Sequence, residues 1–390
     1  MAQRLLCILP LAALLGLLFG SEFALQDLSI YWKACSQWIA GHSAYALPHQ
    51  SVYVQGWGGI DAAFGETLAV WSAPIFLVPA SIFGIWELAT AKSIYLAATC
   101  FVVGAFTLSI RDSIRLLIKQ TGQGGEVLVK VVGPTVLFPL PPLLEHLSWG
   151  GMSVLSALAV VLLVTFKDRG FVLWLIALLL FALKPHPCAL LVLGWFAGAR
   201  REEQRTMLWA FVVASALLIL PIVLEPMILF EFLKLDLTIP FFYQNRTATL
   251  TGILRGFEFV PVVSFALGTS LLSLILVSIL KNKTFFTSEE LPWLMMLLSP
   301  LSVFLCPYAW GHDYFICGGW AASIFFFKLY DRPLGFLGLI LLPLSTLSML
   351  ESLRDTLAGP VTGGWWAIFA LSLYLDLIGR RQAIARAIQI

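Results

Sequence analysis

Long apolar stretches recur along the whole 390-residue chain and are separated by short polar segments. A perpendicular membrane-spanning helix needs about 20 apolar residues, and several stretches approach that length. They lack the ten-residue alternation of a transmembrane β-barrel, so we predict helices. The predicted helical stretches are residues 4–20, 88–110, 127–144, 151–166, 171–183, 188–198, 207–225, 257–280, 291–306, 314–327, 334–350 and 365–379.

The composition indicates that lipid is the solvent for most of the chain. Hydrophobic residues make up 59% and charged residues 12%, whereas soluble domains are about a quarter charged. We therefore predict an all-α, polytopic integral membrane protein with about 12 transmembrane helices, in a single domain over residues 1–390. The first stretch is compatible with a signal peptide, but Arg4 and the following loop favour an uncleaved helix. The six cysteines show no metal-ligand spacing.

The positions of lysine and arginine set the predicted topology. Residues 68–84 are apolar but contain two prolines, and counting them as a crossing would invert the later loops. If they form a juxtamembrane element, nearly all loops rich in lysine and arginine are cytoplasmic, as the positive-inside rule requires. Both termini are then cytoplasmic. The exoplasmic side carries a first loop at 21–87, with an amphipathic helix over 28–40, and a second loop at 226–256.

Asp27 follows the first predicted helix directly, at the membrane surface. A carboxylate at this place is able to deprotonate an acceptor hydroxyl as a general base. Aspartate is also a preferred helix N-cap, and the amphipathic helix of the first loop begins beside it. Both roles are open at the level of the sequence, and they do not exclude each other.

Lys184 belongs to a Lys-Pro-His-Pro segment between two short apolar stretches. Helices usually end before a proline, so the pattern predicts two short helices that meet at this point. A lysine there is able to hold a phosphate as a point charge, or simply to reach the membrane surface. His186 in the same segment is a further candidate.

A third cluster spans residues 306–314 and contains Trp310, His312 and Asp313. Aromatic residues are common at membrane interfaces, and the histidine adds a possible donor to a leaving phosphate. Adjacent residues of a helix point in different directions, so Asp313 need not contact His312. His146, near the tip of another exoplasmic loop, is a further candidate.

The second exoplasmic loop contains a polar segment that includes Asn245 and is followed by Arg255. By contrast, the chain has no Walker A, Rossmann glycine, HExxH, GxSxG or Asp-x-Asp motif. These absences argue against the binding of ATP or of a nucleotide sugar, and we expect no cofactor, no metal and no nucleic-acid partner. A reaction would then take place on the exoplasmic face with an activated substrate that is already in the membrane.

The order of these features resembles the family 87 glycosyltransferases, polyprenyl-phosphate-dependent mannosyltransferases with the class C membrane fold. The stretch from Asp27 and Tyr31 to GHSAY is similar to that family's first-loop helix, which ends in Gly-x-x-x-Tyr. Trp71-Ser-Ala-Pro is similar to its Tyr-x-Pro motif, with tryptophan for tyrosine. Residues 146–151 fall at its Gly-Gln position, with Gly151 in place of the glutamine.

The later motifs also have counterparts in that family. Lys-Pro-His-Pro is similar to its Lys-Pro-x-Pro apex, and the stretch from Asn245 to Arg255 is similar to its Asn-x-Ser-Leu…Arg loop. Residues 307–313 are similar to its Ser-Pro-x-Ser-Trp-x-His-His signature, with Asp313 at the second histidine. The resemblance covers about residues 20–330.

The resemblance implies a glycosyltransferase that moves a hexose, in that family mannose, from a polyprenyl-phosphate donor to a lipid-linked or glycan acceptor. It implies inversion without a metal, at the periplasmic or extracellular face of the cell inner (plasma) membrane. Asp27 would be the catalytic base, and the donor phosphate would be bound by Lys184, Arg255 and His312. The implied substrate-binding residues are Tyr31, Trp71, His146, His186, Asn245, Trp310 and Asp313.

The main alternative is a transporter or flippase of a lipid-linked glycan, which would also have broken helices and charges at membrane depth. A transporter needs those charges near the midplane, whereas nearly all of them lie at predicted exoplasmic helix ends. A glycan ligase, an acyltransferase and a scaffold without catalysis are further alternatives.

Overall fold

The computed structural model describes residues 2–20, 25–45, 52–53, 67–68, 72–121, 140–166, 169–234, 247–254, 260–307, 309–345 and 358–389. Nearly all of these residues are helical. The α-helices are α1 Ala2–Phe19, α2 Gln26–Ile39, α3 Leu77–Gly84, α4 Leu88–Thr121, α5 Leu140–Trp149, α6 Ser153–Thr165, α7 Phe171–Phe181, α8 Pro185–Gly198, α9 Arg201–Leu224, α10 Met227–Lys234, α11 Leu250–Ile253, α12 Val260–Asn282, α13 Leu291–Phe304, α14 Trp320–Phe326, α15 Pro333–Ser345 and α16 Ala358–Gln389. Shorter 3-10 helices cover Pro74–Phe76, Lys283–Phe285 and Gly311–Gly319, and Val52–Tyr53 pairs with Thr67–Leu68 in an antiparallel ladder.

Within the described residues, four helices are long and apolar enough to cross a membrane. They are Leu88–Asp112, Arg201–Leu224, Val262–Phe285 and Ala358–Ile388. Shorter apolar helices of 10–17 residues accompany them. The chain is therefore a membrane-embedded helical protein, which confirms that part of the predicted fold class. The number of about 12 crossings stays a prediction.

Helix α13 lies at the centre of the bundle. All of its residues except Trp293 are buried, and it packs against α8, α14 and α16. Helices α9 and α12 instead expose long rows of leucine, valine and phenylalanine side chains. Such continuous apolar surfaces are the ones that lipid covers in a membrane protein.

The helix break predicted at Lys184 is present. Helix α7 ends at Phe181, and α8 begins at Pro185, whose missing N–H suits the first helical position. Lys184 is the N-cap residue of α8, with φ −141°. Because the rings of Trp174 and Trp195 meet edge to face at 5.2 Å, the two helices form a hairpin with Lys184 at its apex.

The amphipathic helix predicted in the first loop is α2, and it starts two residues earlier than predicted. Its N-cap is Leu25, which has a left-handed φ of 46° and makes no side-chain capping bond. The N-cap alternative for Asp27 is therefore wrong, because Asp27 lies inside the first turn. A carboxylate in that turn is still stabilised by the partial positive charge of the helix N-terminus.

Helix α2 is held against residues 72–86, in the later part of the same loop. The hydroxyls of Tyr31 and Ser72 are 2.8 Å apart, and the Trp32 indole N–H donates to the Trp86 carbonyl at 2.9 Å. A Cβ added at Gly84 would lie 2.7 Å from the Cβ of Cys35, so α2 and α3 meet closely there. Helix α3 has eight residues and is about 12 Å long, too short to cross a bilayer.

Ion pairs tie helix ends together at one end of the bundle. Arg169 lies 3.4 Å from Glu203, and its guanidinium stacks on the Trp195 ring. Arg381 lies 2.7 Å from Glu290 and joins α16 to the start of α13. Helices α7, α9 and α13 begin at this end. The candidate residues that the structure describes gather away from it, near the C-termini of α7 and α13.

Candidate functional site

A row of four charged or titratable side chains joins three distant parts of the chain. The Asp27 carboxylate lies 4.0 Å from Nε2 of His312, which lies 3.8 Å from the carboxylate of Asp313. The same Asp313 oxygen is 3.3 Å from Nζ of Lys184. The Asp27 side chain is 26% exposed, whereas those of His312 and Asp313 are 4% and 0% exposed. Asp27 is therefore the solvent-accessible end of the row, and His312 and Asp313 are its buried part.

Asp313 is the buried anion of this row. Burial alone would raise the pKa of its carboxyl, but the charge of Lys184, followed by the rings of His312 and His186, lowers that pKa to about 2. The backbone N–H of Trp310 also donates to the carboxylate at 3.0 Å. Asp313 is therefore ionised at neutral pH.

The contact between the adjacent residues His312 and Asp313 has a local cause. Both belong to the first turn of the 3-10 helix Gly311–Gly319, and the Asp313 carboxylate folds back to the N–H of Trp310. This bend carries the carboxylate across the turn towards the imidazole. The sequence left the contact open, because a regular helix points neighbouring side chains apart.

Two glycines leave room for the His312 ring. A Cβ added at Gly151 would lie 2.5 Å from Cδ2 and 2.6 Å from Nε2 of that ring. Gly150 has a φ of +76°, which favours glycine, and a Cβ there would lie 3.0 Å from Leu25 Cα. The turn between α5 and α6 therefore touches both the start of α2 and the imidazole. Ser153 adds a hydrogen bond of 3.1 Å to the His312 carbonyl.

His146 lies behind this glycine turn. Its ring is fully buried and stacks on Phe315 at 4.9 Å and on Tyr95 at 5.3 Å. The Tyr95 hydroxyl donates to the Gly151 carbonyl at 2.6 Å, so its oxygen accepts from Nε2–H of His146 at 2.5 Å. In this arrangement His146 supports the turn that contacts His312. Tyr95 carried no sequence signal, since a tyrosine in an apolar helix is common.

The other described candidates surround the row. His186 stands two residues after Lys184 at the start of α8 and is half-buried. Trp310 is partly buried beside Asp313. The hydroxyl of Tyr31 lies 2.8 Å from that of Ser72.

The second exoplasmic loop packs beside the same cluster. The Ala248 N–H donates to the Ala309 carbonyl at 2.9 Å, and the Tyr314 hydroxyl donates to the Ala248 carbonyl at 2.6 Å. The segment 247–254 thus joins the site from its far side. Three predicted residues lie outside the described part of the chain, namely Trp71, Asn245 and Arg255.

Comparison with known proteins gives no assignment. No protein family, curated protein or solved structure matches this chain. The chemistry therefore has to be argued from the geometry itself. A partly exposed carboxylate beside an imidazole is able to accept a proton, and a buried lysine–aspartate pair beside them is able to orient the imidazole and to supply positive charge.

Proposed function

We propose that this protein is a membrane glycosyltransferase. It would move a hexose, in our proposal mannose, from a polyprenyl-phosphate donor to an acceptor hydroxyl, in a single displacement with inversion and without a metal. The observation that carries the proposal is the contact between Asp27 and His312, 4.0 Å apart at the open end of the charged row. The residues that the resemblance to family 87 assigns to the base and to the donor phosphate are thus neighbours.

Asp27 suits the role of general base. Its carboxylate is partly exposed, so an acceptor hydroxyl is able to reach it, and it lies at the end of the row that opens outwards. As the hydroxyl oxygen attacks the anomeric carbon, the carboxylate would take the proton. The placement of Asp27 in the first turn of α2 stabilises the charged form that this role needs.

Lys184 and His312 are suited to stabilise the negative charge on the leaving phosphate. When the bond between the anomeric carbon and the phosphate oxygen breaks, negative charge develops on the phosphate, and nearby cations and N–H donors stabilise it. Asp313 contacts both residues and would hold them in place. We include Arg255 in this role from the resemblance alone.

The finer fold and the location follow from the same proposal. We propose a class C glycosyltransferase fold with about 12 crossings in the cell inner membrane, and an active site on the periplasmic or extracellular side. The arginine-rich helix ends tied by Glu203 and Glu290 support a cytoplasmic assignment for that end of the bundle. The row from Asp27 to Lys184 would then face the exoplasm.

The decisive experiment measures sugar transfer by the full chain in lipid nanodiscs. We expect the wild-type protein to release polyprenyl phosphate from radiolabelled polyprenyl-phosphate mannose when membrane lipids supply the acceptor. Asp27→Asn should lower the rate by about a thousandfold, because it removes the base while preserving shape. The matched control is Asp112→Asn, in the C-terminal half of α4, whose partly exposed pair with Arg111 contributes little.

Retention of transfer by Asp27→Asn would contradict the role of this residue. If the wild-type chain transfers no hexose but moves a fluorescent lipid-linked glycan across the bilayer, the protein is a flippase instead. Donor binding, followed by photocrosslinking, should be equal in the wild-type protein and Asp27→Asn, because the base acts on the acceptor.

A further inference from the structure

Helix α9 presents one continuous exposed face along most of its length. Residues spaced three or four positions apart lie on the same side of a helix, and five such residues of α9 are exposed: Leu208, Val212, Ala216, Ile219 and Val223. They cover about 23 Å along the helix axis, which is most of the roughly 30 Å hydrocarbon core of a bilayer. Lipid chains therefore cover this face.

Two arginines continue the same face beyond its apolar part. Arg201 and Arg205 are both exposed, and they stand seven positions before Leu208 and Val212, which is close to two full helical turns. Their Cα atoms lie about 10 and 5 Å beyond Leu208 along the axis. The head-group layer of a bilayer adds about 5–8 Å on each side of the hydrocarbon. The two guanidinium groups are therefore at the depth of lipid phosphates.

Trp209 lies on this face between the arginines and the aliphatic residues. It follows Arg205 by one turn, and its side chain is 65% exposed. Tryptophan is enriched at the boundary between hydrocarbon and head groups, because its ring is apolar and its N–H is a donor. Along the axis, the face thus has cations, then an amphipathic ring, then aliphatic side chains. A phospholipid has its phosphate, glycerol and acyl chains in the same order.

The fold keeps this face positive by turning one of two glutamates inwards. Glu203 lies 3.4 Å from Arg169 and accepts a hydrogen bond of 3.2 Å from the Trp195 indole. Its charge is therefore used inside the bundle. Glu202 is exposed, but it is turned about 100° around the helix from Arg201. The face itself carries two cations, with one carboxylate at its side.

We propose that Arg201, Arg205 and Trp209 form a binding site for an anionic phospholipid. Residues four positions apart on a helix have their Cβ atoms about 5–6 Å apart, so one phosphate fits between the two guanidinium groups. Each guanidinium offers a planar pair of donors that matches phosphate oxygens. The acyl chains lie along the aliphatic part of the face. A zwitterionic lipid binds less well, because its cationic head group is repelled by the arginines.

This lipid site is separate from the charged row. Helix α8 has Lys184 as its N-cap and ends at Gly198, 14 residues later, and α9 starts at Arg201. The two sites are therefore at opposite ends of α8, which is about 21 Å long. The inference does not depend on the proposed sugar transfer. Its consequence is structural, since a bound lipid holds the turn between α8 and α9 at the membrane surface.

Native mass spectrometry of the full chain, released from maltoside micelles, tests the site with dioleoyl phosphatidylglycerol. We expect one lipid to bind more tightly than the rest. The double variant Arg201→Gln, Arg205→Gln should weaken this lipid about thirtyfold, because each arginine near an anionic lipid contributes about a fivefold factor. The matched control Lys283→Gln, Arg386→Gln removes two other exposed charges and should leave the tight binding unchanged.

Glu202→Gln gives a second test in the opposite direction. It removes the carboxylate beside the two arginines and should strengthen the binding of phosphatidylglycerol about threefold, as expected for an exposed charge pair. A misfolded variant cannot produce such a gain. Unchanged or weaker binding in this variant would contradict a phosphate held at Arg201 and Arg205.

Three further outcomes would overturn the assignment. Equal weakening in the two double variants would show a general attraction between charges and no specific site. Phosphatidylcholine bound as tightly as phosphatidylglycerol would mean that the negative charge is not recognised. A wild-type dimer that dissociates in the Arg201→Gln, Arg205→Gln variant would make this face a contact between proteins instead.

Discussion

At the scale of single residues, the site depends on the absence of a side chain at position 151, which is a glycine. The His312 imidazole occupies the space that any side chain at position 151 would need. The sequence identified Gly151 only as a departure from the glutamine of family 87. In the structure, the glycine lets the turn approach the ring whose other neighbours are Asp27 and Asp313.

Gly151→Ala should therefore reduce transfer strongly without unfolding the protein. Its methyl group would displace the His312 ring, and a displacement of about 1 Å at a reacting centre costs on the order of a hundredfold in rate. The measurement is the rate of transfer, compared with that of Gly170→Ala. Position 170 has open space around it, so this control should keep full activity. Equal rates for both variants would mean that the ring position does not matter.

Variants of the pair Lys184 and Asp313 separate the effect of Lys184 on stability from its effect on donor binding. Lys184→Ala leaves Asp313 buried without its cation and should lower the free energy of unfolding by about 3 kcal/mol. The double variant Lys184→Met, Asp313→Leu removes both charges and should recover most of that stability. Denaturation in mixed micelles measures both.

Donor binding should not recover in the double variant, because the phosphate still lacks its lysine. Crosslinking of a polyprenyl-phosphate probe measures this separately from stability. If the double variant binds the probe as well as the wild-type protein, Lys184 is a structural residue and not part of the phosphate site.

At the scale of the elements, the sequence predicted the helices well and their caps and contacts less well. The apolar runs correspond to most of the described helices, and the break before Pro185 followed from proline chemistry. The cap at Leu25 was missed because a left-handed leucine has no sequence signature. The contact between Lys184 and Asp313 was beyond prediction, since the hairpin of α7 and α8 and the turn after α13 meet only in the fold.

The close contact of α2 with α3 gives a test at this scale. Gly84→Ala would place a Cβ 2.7 Å from Cys35 and from the backbone of Ser36, so α2 must move. We expect a loss of about 1–3 kcal/mol in the free energy of unfolding and slower transfer, because α2 carries Asp27. The matched helical control is Gly379→Ala, which meets nothing within 4 Å and should be neutral or slightly stabilising. Identical behaviour of both variants would contradict a tight α2–α3 contact.

At the scale of the whole molecule, the bundle has two different ends. Arginine–glutamate ties hold one end, where Arg169 and Arg381 also stack on aromatic rings. The other end holds the charged row and the segment 247–254. The proposed enzyme would act at the end that holds the charged row.

Labelling of intact cells tests the sidedness. In a background without cysteines, His42→Cys lies after α2 and Glu202→Cys lies at the start of α9, and both positions are exposed. We expect a membrane-impermeant maleimide to label position 42 in intact cells and position 202 only after permeabilisation, as the positive-inside rule requires. Labelling of both positions from the same side would refute the proposed topology.

The hairpin at Lys184 also constrains how the protein is made. Helices α7 and α8 have 11 and 14 residues, about 17 and 21 Å, whereas the hydrocarbon core is about 30 Å thick. Neither is long enough to enter the bilayer as an independent span, and Lys184 disfavours their joint entry into bare lipid. They are therefore expected to remain at the translocon until neighbouring helices can pack against them. Biosynthesis then proceeds by insertion of groups of helices and not one span at a time.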